Sequence, residues 1–358
     1  MNFASDNGAG VAPEILEAIA QSSRVDAPAY GADDYTARAL ARLDEIFERR
    51  VAAFLVATGT AANALALGAL IRPWETVFCH EEAHVQEDEC GAPEFFTAGG
   101  KLVGIPGAAG KITPEALRET LDRFPRGQVK TTQPGALSLS QASEAGTIYR
   151  PEEVAALASI AHEAGLAVHM DGARFANALV SAGVSPAAMT WRAGVDALSF
   201  GATKNGSLAC EAVIFFDPDT AAGFAYQRKR AGQTLSKGRF LGAQMEAYLK
   251  DGLWFELARR ANAAATRLSQ GLVYAPGVRL AWPTEANEVF VIAPMELAST
   301  WRAAGAQFHE WTSRSIAPER APRAGETMVR LVTSFETRDR DVDALIGMAT
   351  APHRRRNS

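Results

Sequence analysis

The chain has 358 residues, 47% of them hydrophobic and 22% charged, which is the composition of an ordinary soluble protein with a large core. A net charge of −5 argues against nucleic-acid or anionic-membrane partners, and no apolar run approaches the ~18 residues of a membrane span. Three scattered cysteines without a C-x-x-C pair, and an N-terminus without a signal-peptide pattern, lead us to expect a cytoplasmic protein.

The chain up to about residue 240 alternates predicted helices and strands. Apolar periodicity and helix-start signals predict helices over 13–20, 35–50, 64–71, 113–124 and 151–165. Short apolar runs predict strands over 52–57, 76–79, 102–105, 136–141, 166–170, 195–200 and 212–216. This alternation predicts an α/β fold whose mostly parallel sheet has helices on both faces.

Beyond residue 240 the pattern changes to one long predicted helix, 240–272, followed by shorter elements. Strand candidates over 278–281, 288–292 and 328–332, with helices over 297–304 and 340–348, predict a small α+β domain. We therefore expect a large domain over 1–240, which includes the N-terminal segment, and a small C-terminal domain over 241–358. The basic cluster at 353–356 is expected to be a solvated tail.

The turn Thr58-Gly59-Thr60 follows a predicted strand and precedes a helix. Backbone amides and the helix dipole at such a place favour a phosphate, the glycine permits close approach, and the threonine adds a hydroxyl donor. Many turns of this kind bind nothing, so the interpretation depends on what the other strand ends carry.

Two further strand ends carry charged residues among apolar ones. Asp171 follows the strand at 166–170 and could either pair with Arg174 or hold a proton on the ring nitrogen of a heterocycle. Lys204 lies in a small-residue turn between apolar strands, where it could reach solvent or, if buried, serve as a Schiff-base amine. Because such strand ends share one edge of a parallel sheet, the phosphate turn, carboxylate and lysine together indicate a pyridoxal phosphate site.

A competing motif, His80-Glu81-Glu82-Ala83-His84, matches the H-E-x-x-H signature of zinc peptidases. A zinc site needs both histidines on one helix face and a third ligand, whereas this motif directly follows a predicted strand in an acidic segment. We therefore expect no metal and consider instead that His84 stacks on a cofactor ring. His80 fits an exposed loop histidine equally well.

Taken together, these residues resemble the low-specificity L-threonine aldolases, which belong to the aspartate-aminotransferase-like (fold type I) pyridoxal phosphate enzymes. The resemblance runs from Phe-Ala-Ser-Asp-Asn at 3–7 to Val-Arg-Leu-Val-Thr at 329–333. It passes through Tyr-Gly-Ala-Asp-Asp at 30–34, the turn at 58–60, His84, Asp-Gly-Ala-Arg at 171–174 and Thr-Lys-Asn-Gly at 203–206. It implies a homotetramer, a dimer of dimers, with active sites shared between subunits.

The resemblance implies a role for each matching residue at the cofactor. Lys204, next to Thr203, would bind pyridoxal phosphate as a Schiff base, and Gly59 and Thr60 would hold its phosphate. Asp171 would pair with the pyridine nitrogen, and His84 would stack on the ring.

The resemblance also implies the residues around the substrate. Arg174, beside the cofactor, would grip the substrate carboxylate together with Arg330 and Ser5. Arg239, or Arg230 in its place, would reach the phosphate or a carboxylate, and Tyr30 would come from the neighbouring subunit.

The implied reaction is retro-aldol cleavage of a β-hydroxy-α-amino acid, such as threonine, allo-threonine or phenylserine, to glycine and an aldehyde. The segment 140–146 has no histidine where some family members place one near the substrate hydroxyl, and Glu144 falls close to that position. The general base therefore stays open, with His84 or a water that it positions as the first candidate. A β-eliminating or decarboxylating enzyme on the same fold, a non-catalytic scaffold and a zinc peptidase are the alternatives.

Overall fold

A computed structural model describes residues 1–351; the basic cluster at 353–356, which ends the predicted second domain, lies outside this range. The chain forms a large, mostly parallel sheet flanked by helices and a small antiparallel sheet, which confirms the predicted fold class. No helix within residues 1–351 is long and apolar enough to cross a membrane.

Seven strands form the large sheet, in the order β1-β7-β6-β5-β4-β2-β3. They are β1 (Ala52–Val56), β2 (Glu75–His80), β3 (Lys101–Ile105), β4 (Gln133–Ser140), β5 (Ala167–Gly172), β6 (Ala197–Gly201) and β7 (Glu211–Phe215). Only β7 runs antiparallel, between β1 and β6. The carboxyl ends of the other strands meet at one edge, where ligand sites form in sheets of this kind.

Twelve helices precede the small sheet. They are α1 (Pro13–Ser22), α2 (Asp34–Ile46), α3 (Gly59–Leu70), α4 (His84–Glu87), α5 (Ala92–Phe96), α6 (Pro114–Leu121), α7 (Pro151–Glu163), α8 (Phe175–Ala182), α9 (Pro186–Met189), α10 (Phe224–Arg230), α11 (Arg239–Leu249) and α12 (Leu253–Leu272). The start of α7 illustrates why a helix begins at a given residue: Pro151 fills its first position, and the Glu153 side chain accepts the Arg150 backbone N–H at 2.7 Å.

The small sheet has the order β10-β11-β9-β8 and is antiparallel throughout. Its elements are β8 (Arg279–Leu280), β9 (Glu288–Pro294), α13 (Met295–Ala303), β10 (His309–Glu310), β11 (Glu326–Val332) and α14 (Asp339–Thr350). In the register of β9 and β11, Glu288 lies opposite Val332 and Phe290 opposite Arg330. Glu288 and Arg330 are therefore diagonal neighbours on one face of this sheet.

Of the predicted helix boundaries that are wrong, two change the description of the fold. The long helix at 240–272 is in fact two, because Asp251 (φ 51°) and Gly252 (φ 75°) adopt left-handed conformations between α11 and α12. In addition, α3 begins at Gly59 rather than at residue 64, because Thr58 caps it. The second difference matters for function, since it makes Gly59 and Thr60 the first residues of a helix.

Two principal hydrophobic cores support the two sheets. One contains Phe200, Leu198 and Met170 from the large sheet, and the other contains Val291 and Val329 from the small one. The helix α12 contributes to both, and Phe3 from the N-terminus packs in the second. We propose that these cores mark the two predicted domains. On this proposal α11 belongs with the large domain and the chain passes to the second core within α12, so the boundary lies after residue 240.

Candidate active site

Two adjoining cavities, of about 350 Å³ and about 410 Å³, lie at the carboxyl edge of the large sheet. The larger one extends toward the small sheet. Most of the predicted site residues line one cavity or both: Ser5, Gly59, Thr60, His84, Asp171, Arg174, Thr203, Lys204 and Arg330. His84, Asp171 and Lys204 border both cavities, so the two form a single site around these side chains.

Tyr30 and Arg239 lie elsewhere. Tyr30 is 56% exposed, and its ring centre lies 4.7 Å from the ammonium nitrogen of Lys229. Arg239 donates from Nε to the Ser22 carbonyl at 3.0 Å and lines neither cavity. A single chain therefore does not bring these two residues to the site.

The turn Thr58-Gly59-Thr60 lies where β1 passes into α3. Thr58 caps the helix, its Oγ1 accepting the Ala61 backbone N–H at 3.1 Å. The N–H groups of Gly59 and Thr60, in the first turn, have no acceptor within the helix by geometry. A Cβ added at Gly59 would meet no atom within 4 Å, so this turn is open on the cavity side. The arrangement suits an anion at the positive end of the helix dipole.

Lys204 follows β6 in a short 3-10 turn, Thr203–Asn205, and is half-buried. No ion pair within residues 1–351 involves its ammonium group. Beneath the turn, Glu211 accepts the Ala202 backbone N–H at 2.6 Å, and burial raises the pKa of this glutamate to about 7. The turn that carries Lys204 is thus tied to β7 by a buried carboxyl group.

Asp171 does not pair with Arg174, so the ion-pair alternative considered for it is wrong. Its Oδ1 accepts the Ala173 backbone N–H at 3.0 Å, and its Oδ2 accepts the Asn63 side-chain amide at 2.8 Å. The same amide donates to Glu89 Oε1 at 2.8 Å. Asp171 is therefore buried and oriented by neutral donors, and no cationic side chain within residues 1–351 is bonded to it.

Arg174 pairs instead with carboxylates from distant parts of the chain. Its Nε and Nη2 donate to Asp6 at 2.8 and 3.0 Å, and Nη1 lies 3.3 Å from Glu288 Oε2. Burial alone would lower the pKa of Arg174, but Asp6 and Glu288 raise it above its ordinary value. Burial likewise opposes ionisation of Asp6, but Arg174 and Lys204 lower its pKa overall. This cluster fixes the Arg174 guanidinium at the edge of the larger cavity.

Arg330 is held more loosely. Its guanidinium carbon lies 4.3 Å from the ring centre of Trp311, and Nη2 is 3.5 Å from the Ala4 carbonyl. Nη1 is 3.9 Å from Glu288 Oε1, and the buried Nε has no hydrogen-bond partner among residues 1–351. Of the two cavity arginines, Arg330 therefore retains more donor capacity for a ligand carboxylate.

His84 is the first residue of α4. Its Nδ1 lies 2.8 Å from Glu89 Oε1, and this hydrogen bond raises the pKa of the imidazole above its ordinary value against the effect of burial. Its backbone N–H donates to Glu144 Oε1 at 2.9 Å. The side chain is thus oriented by a carboxylate at one ring nitrogen while the residue borders both cavities.

The H-E-x-x-H motif does not lie on one helix. His80 ends β2, is buried, and bonds through Nε2 to the Gly107 carbonyl at 3.0 Å, so the exposed-loop interpretation of His80 is wrong. His84 begins α4 after a turn. The two histidines are therefore not on one helix face, which is the arrangement that the zinc-peptidase interpretation requires.

Sequence reasoning missed five polar residues that support the site: Asp6, Asn63, Glu89, Glu211 and Glu288. Asn63 had a signal, because it lies on α3 one turn after Gly59-Thr60 and on an otherwise small and apolar helix. Asp6 lay within a quoted motif without a role. The other three have no local pattern, since only the tertiary fold shows what they contact.

The large sheet and its flanking helices define an α/β fold. Its cleft, at the carboxyl ends of the strands, surrounds a half-buried lysine and has the features of a cofactor-binding site. A sequence profile of the beta-eliminating lyase family matches residues 2–295, so the chain belongs to that family. It is 44% identical to the low specificity L-threonine aldolase of Pseudomonas aeruginosa, over 86% of this chain and 88% of that protein. The resemblance to these aldolases is thereby confirmed.

Other similar proteins and structures also include threonine aldolases. The low specificity L-threonine aldolase of Pseudomonas sp. strain NCIMB 10558 is 44% identical over 81% of this chain and 83% of that protein. The threonine aldolase structure from Leishmania major superposes with a TM-score of 0.89 at 28% identity, covering 97% of this chain and 98% of that one. A serine palmitoyltransferase from Sphingomonas wittichii, at 17% identity and a TM-score of 0.68, covers 98% and 86% respectively and shares the fold alone.

Proposed function

We propose that the protein is a pyridoxal-phosphate-dependent aldehyde-lyase that cleaves L-threonine, allo-threonine or related β-hydroxy-α-amino acids, such as phenylserine, to glycine and an aldehyde. The observation that carries this proposal is that Lys204, without an ion-pair partner among residues 1–351, lines one cavity together with the N-terminus of α3 and the carboxylate of Asp171. The 44% identity to proteins named low specificity L-threonine aldolases supports this reaction.

The residues fit the proposed cofactor on structural grounds. The first N–H groups of α3 suit its phosphate, Asp171 is an oriented carboxylate for its ring nitrogen, and Lys204 offers an amine. His84 would pack against the ring. When bound, pyridoxal phosphate supplies an electron sink for the electron pair released at the substrate Cα.

The chain's own residues would orient the substrate. Arg330 and Arg174, with Ser5, would bind the amino-acid carboxylate at the larger cavity. Fixing this group decides which bond at Cα is aligned for cleavage, because rotation about the bond to nitrogen is then restricted. His84, held by Glu89, would keep the ring side of the site ordered.

We further propose a cytoplasmic homotetramer, a dimer of dimers. Tyr30 and Arg239 line neither cavity of their own chain, which supports assigning them to a site completed by a second subunit. Sedimentation or light scattering of the purified protein would test the tetramer, and Tyr30→Phe would test whether an exposed residue affects catalysis.

The decisive experiment is incubation of the cofactor-loaded protein with a panel of β-hydroxy amino acids, measuring glycine and aldehyde. We expect both in equal amounts, and a visible absorption band that shifts on borohydride treatment and is absent in Lys204→Ala. Ammonia and a keto acid without glycine would instead establish β-elimination. A colourless protein inhibited by a chelator would indicate zinc.

A further inference from the structure

Glu144 is a half-buried acid that the functions described so far do not use. It lies in the turn after β4 and borders the larger cavity, and β5 separates β4 from the strand that precedes Lys204. The turn is closely packed: the Ser143 backbone N–H donates to the Thr147 carbonyl at 2.9 Å, and a Cβ at Gly146 would lie 2.9 Å from the Glu288 carbonyl oxygen. The position of Glu144 is therefore set by the fold.

The two oxygens of Glu144 have different environments. Oε1 accepts the backbone N–H of His84 at 2.9 Å and the Ser140 hydroxyl at 2.8 Å. Oε2 is buried and has no hydrogen-bond partner among residues 1–351. A buried carboxyl oxygen without a partner is costly, so this atom is suited to a donor that arrives with a ligand.

The titratable and charged groups around Glu144 come from several elements. They are Asp171 from β5, Arg174 from the loop after it, His84 from α4, Cys79 from β2 and Tyr149 from the segment before α7. Burial, with the charge of Asp171, raises the pKa of Glu144 to about 7 against the opposing effect of the hydrogen bond from the His84 backbone. The carboxyl group can therefore change protonation state near neutral pH, as a general base must.

His84 is less suited to accept a proton. Its Nδ1 lies 2.8 Å from Glu89 Oε1, so this ring nitrogen is already engaged by a carboxylate of the chain. Oε2 of Glu144, in contrast, has no hydrogen-bond partner among residues 1–351.

We propose that Glu144 is the catalytic base that takes the proton from the β-hydroxyl group of the substrate, an inference that rests on the proposed aldolase function. In this step the O–H bond breaks and its proton passes to the Glu144 carboxylate. The Cβ–O bond becomes the aldehyde carbonyl, and the Cα–Cβ bond breaks with its electron pair left at Cα. One proton leaves the hydroxyl and one is later added at Cα, so none is consumed.

Glu144→Gln tests the proposal, because an amide keeps the acceptor for His84 and Ser140 but cannot take a proton. With cofactor-loaded enzyme, we expect kcat/KM for β-hydroxy amino acids to fall by roughly 10²–10⁴-fold, the usual contribution of general base catalysis. The exchange of the glycine Cα proton for deuterium, which involves no hydroxyl group, should stay within about threefold of wild type. Glu285→Gln, which removes another loop carboxylate outside both cavities, is the matched control.

A second readout does not depend on the cofactor. Infrared titration of the cofactor-free protein should show carboxyl groups that titrate near pH 7, and Glu144→Gln should remove one while the signal of Glu211 remains. In the wild-type enzyme, kcat/KM should rise with pH through about 7, and this dependence should be absent from the residual activity of the variant.

Unchanged cleavage by Glu144→Gln would overturn the assignment. So would parallel loss of cleavage and glycine exchange, because Glu144 would then serve the cofactor site as a whole. Failure of the proposed function is distinguishable, since the wild-type enzyme itself would then release no glycine and aldehyde from any substrate of the panel.

Discussion

The side-chain amide of Asn63 lies 2.8 Å from Asp171 Oδ2, so one helix, α3, both begins at the Gly59-Thr60 turn and orients the carboxylate across the cavity. The same amide donates to Glu89, which contacts His84. A single neutral residue thus bridges two carboxylates of the site by donating a hydrogen bond to each.

Asn63→Ala should weaken cofactor binding. Loss of a hydrogen bond to a charged group costs about 1.5–3 kcal/mol, so we expect the Kd for pyridoxal phosphate to rise roughly 10- to 100-fold. Absorbance titration of the cofactor-free protein measures it. Asn262→Ala, which removes a 2.9 Å amide hydrogen bond to the Asn177 carbonyl far from the cavities, is the control. Equal affinities of wild type and Asn63→Ala would contradict the role given to Asn63.

Arg330→Lys should raise KM more than it lowers kcat. Arginine offers a planar pair of donors, and Trp311 supports its plane, whereas an ammonium group offers only a point charge. We expect KM for β-hydroxy amino acids to rise at least about tenfold, equivalent to ~1.4 kcal/mol. Arg302→Lys, whose parent side chain pairs with Glu310 on the surface at 2.7 Å, should leave KM unchanged. An unaltered KM in Arg330→Lys would exclude Arg330 from carboxylate binding.

Glu89→Gln should lower the pKa of His84 toward its ordinary value. The hydrogen bond that His84 donates to Glu89 is the main cause of the raised pKa, and a neutral amide stabilises the imidazolium less. Because the pKa of His84 is raised in the folded protein, the His84–Glu89 pair stabilises the fold fully below the ordinary histidine pKa. This stabilisation is lost as pH rises through the raised pKa. NMR titration of the His84 ring reports the shift. The control is Glu87→Gln: Glu87 lies on α4 with His84 but pairs with Arg314 at 2.8 Å, so this substitution should leave the raised pKa of His84 unchanged.

Glu326→Gln should destabilise the small sheet at neutral pH but not in strong acid. Arg279 donates to both oxygens of Glu326 at 2.7 and 2.8 Å, and these bonds lower the pKa of the glutamate to about 2. A lowered pKa means that the stabilisation is present above the ordinary value and is lost as pH falls through about 2. For this partly exposed pair we expect about 0.5–1 kcal/mol at pH 7 from denaturant unfolding.

The control for this measurement is Glu319→Gln, because Glu319 is an exposed glutamate of the preceding segment. Its free energy of unfolding should match wild type at every pH. A difference between wild type and Glu326→Gln that stays constant from pH 7 to pH 2 would show that the lowered pKa is not its cause.

The positions of the strands and the chemistry of their ends were predictable wherever a local pattern carried them. The apolar runs located the strands of the large sheet, and the rule that strand ends share one edge brought Gly59, Asp171 and Lys204 together. The break between α11 and α12 was not predictable from apolar spacing, since leucines continue on both sides of Gly252.

The partner of Arg174 could not be predicted either. Proximity in sequence suggested Asp171, yet the carboxylate that binds this arginine is Asp6, 168 positions away. Such pairs depend on how the N-terminus and the small sheet close over the large one. Local periodicity carries no information about that closure, which explains why the supporting carboxylates were missed while the strand-end residues were found.

Glu288 lies between Arg174, at 3.3 Å, and Arg330, at 3.9 Å. The two guanidinium groups that would receive an amino-acid carboxylate thus already share a carboxylate of their own chain. Binding would then replace one anion beside the guanidinium groups with another. Its free energy would be the difference between their interaction with the ligand carboxylate and their interaction with Glu288. The site would discriminate by the shape of the ligand, and the negative charge alone would add little affinity.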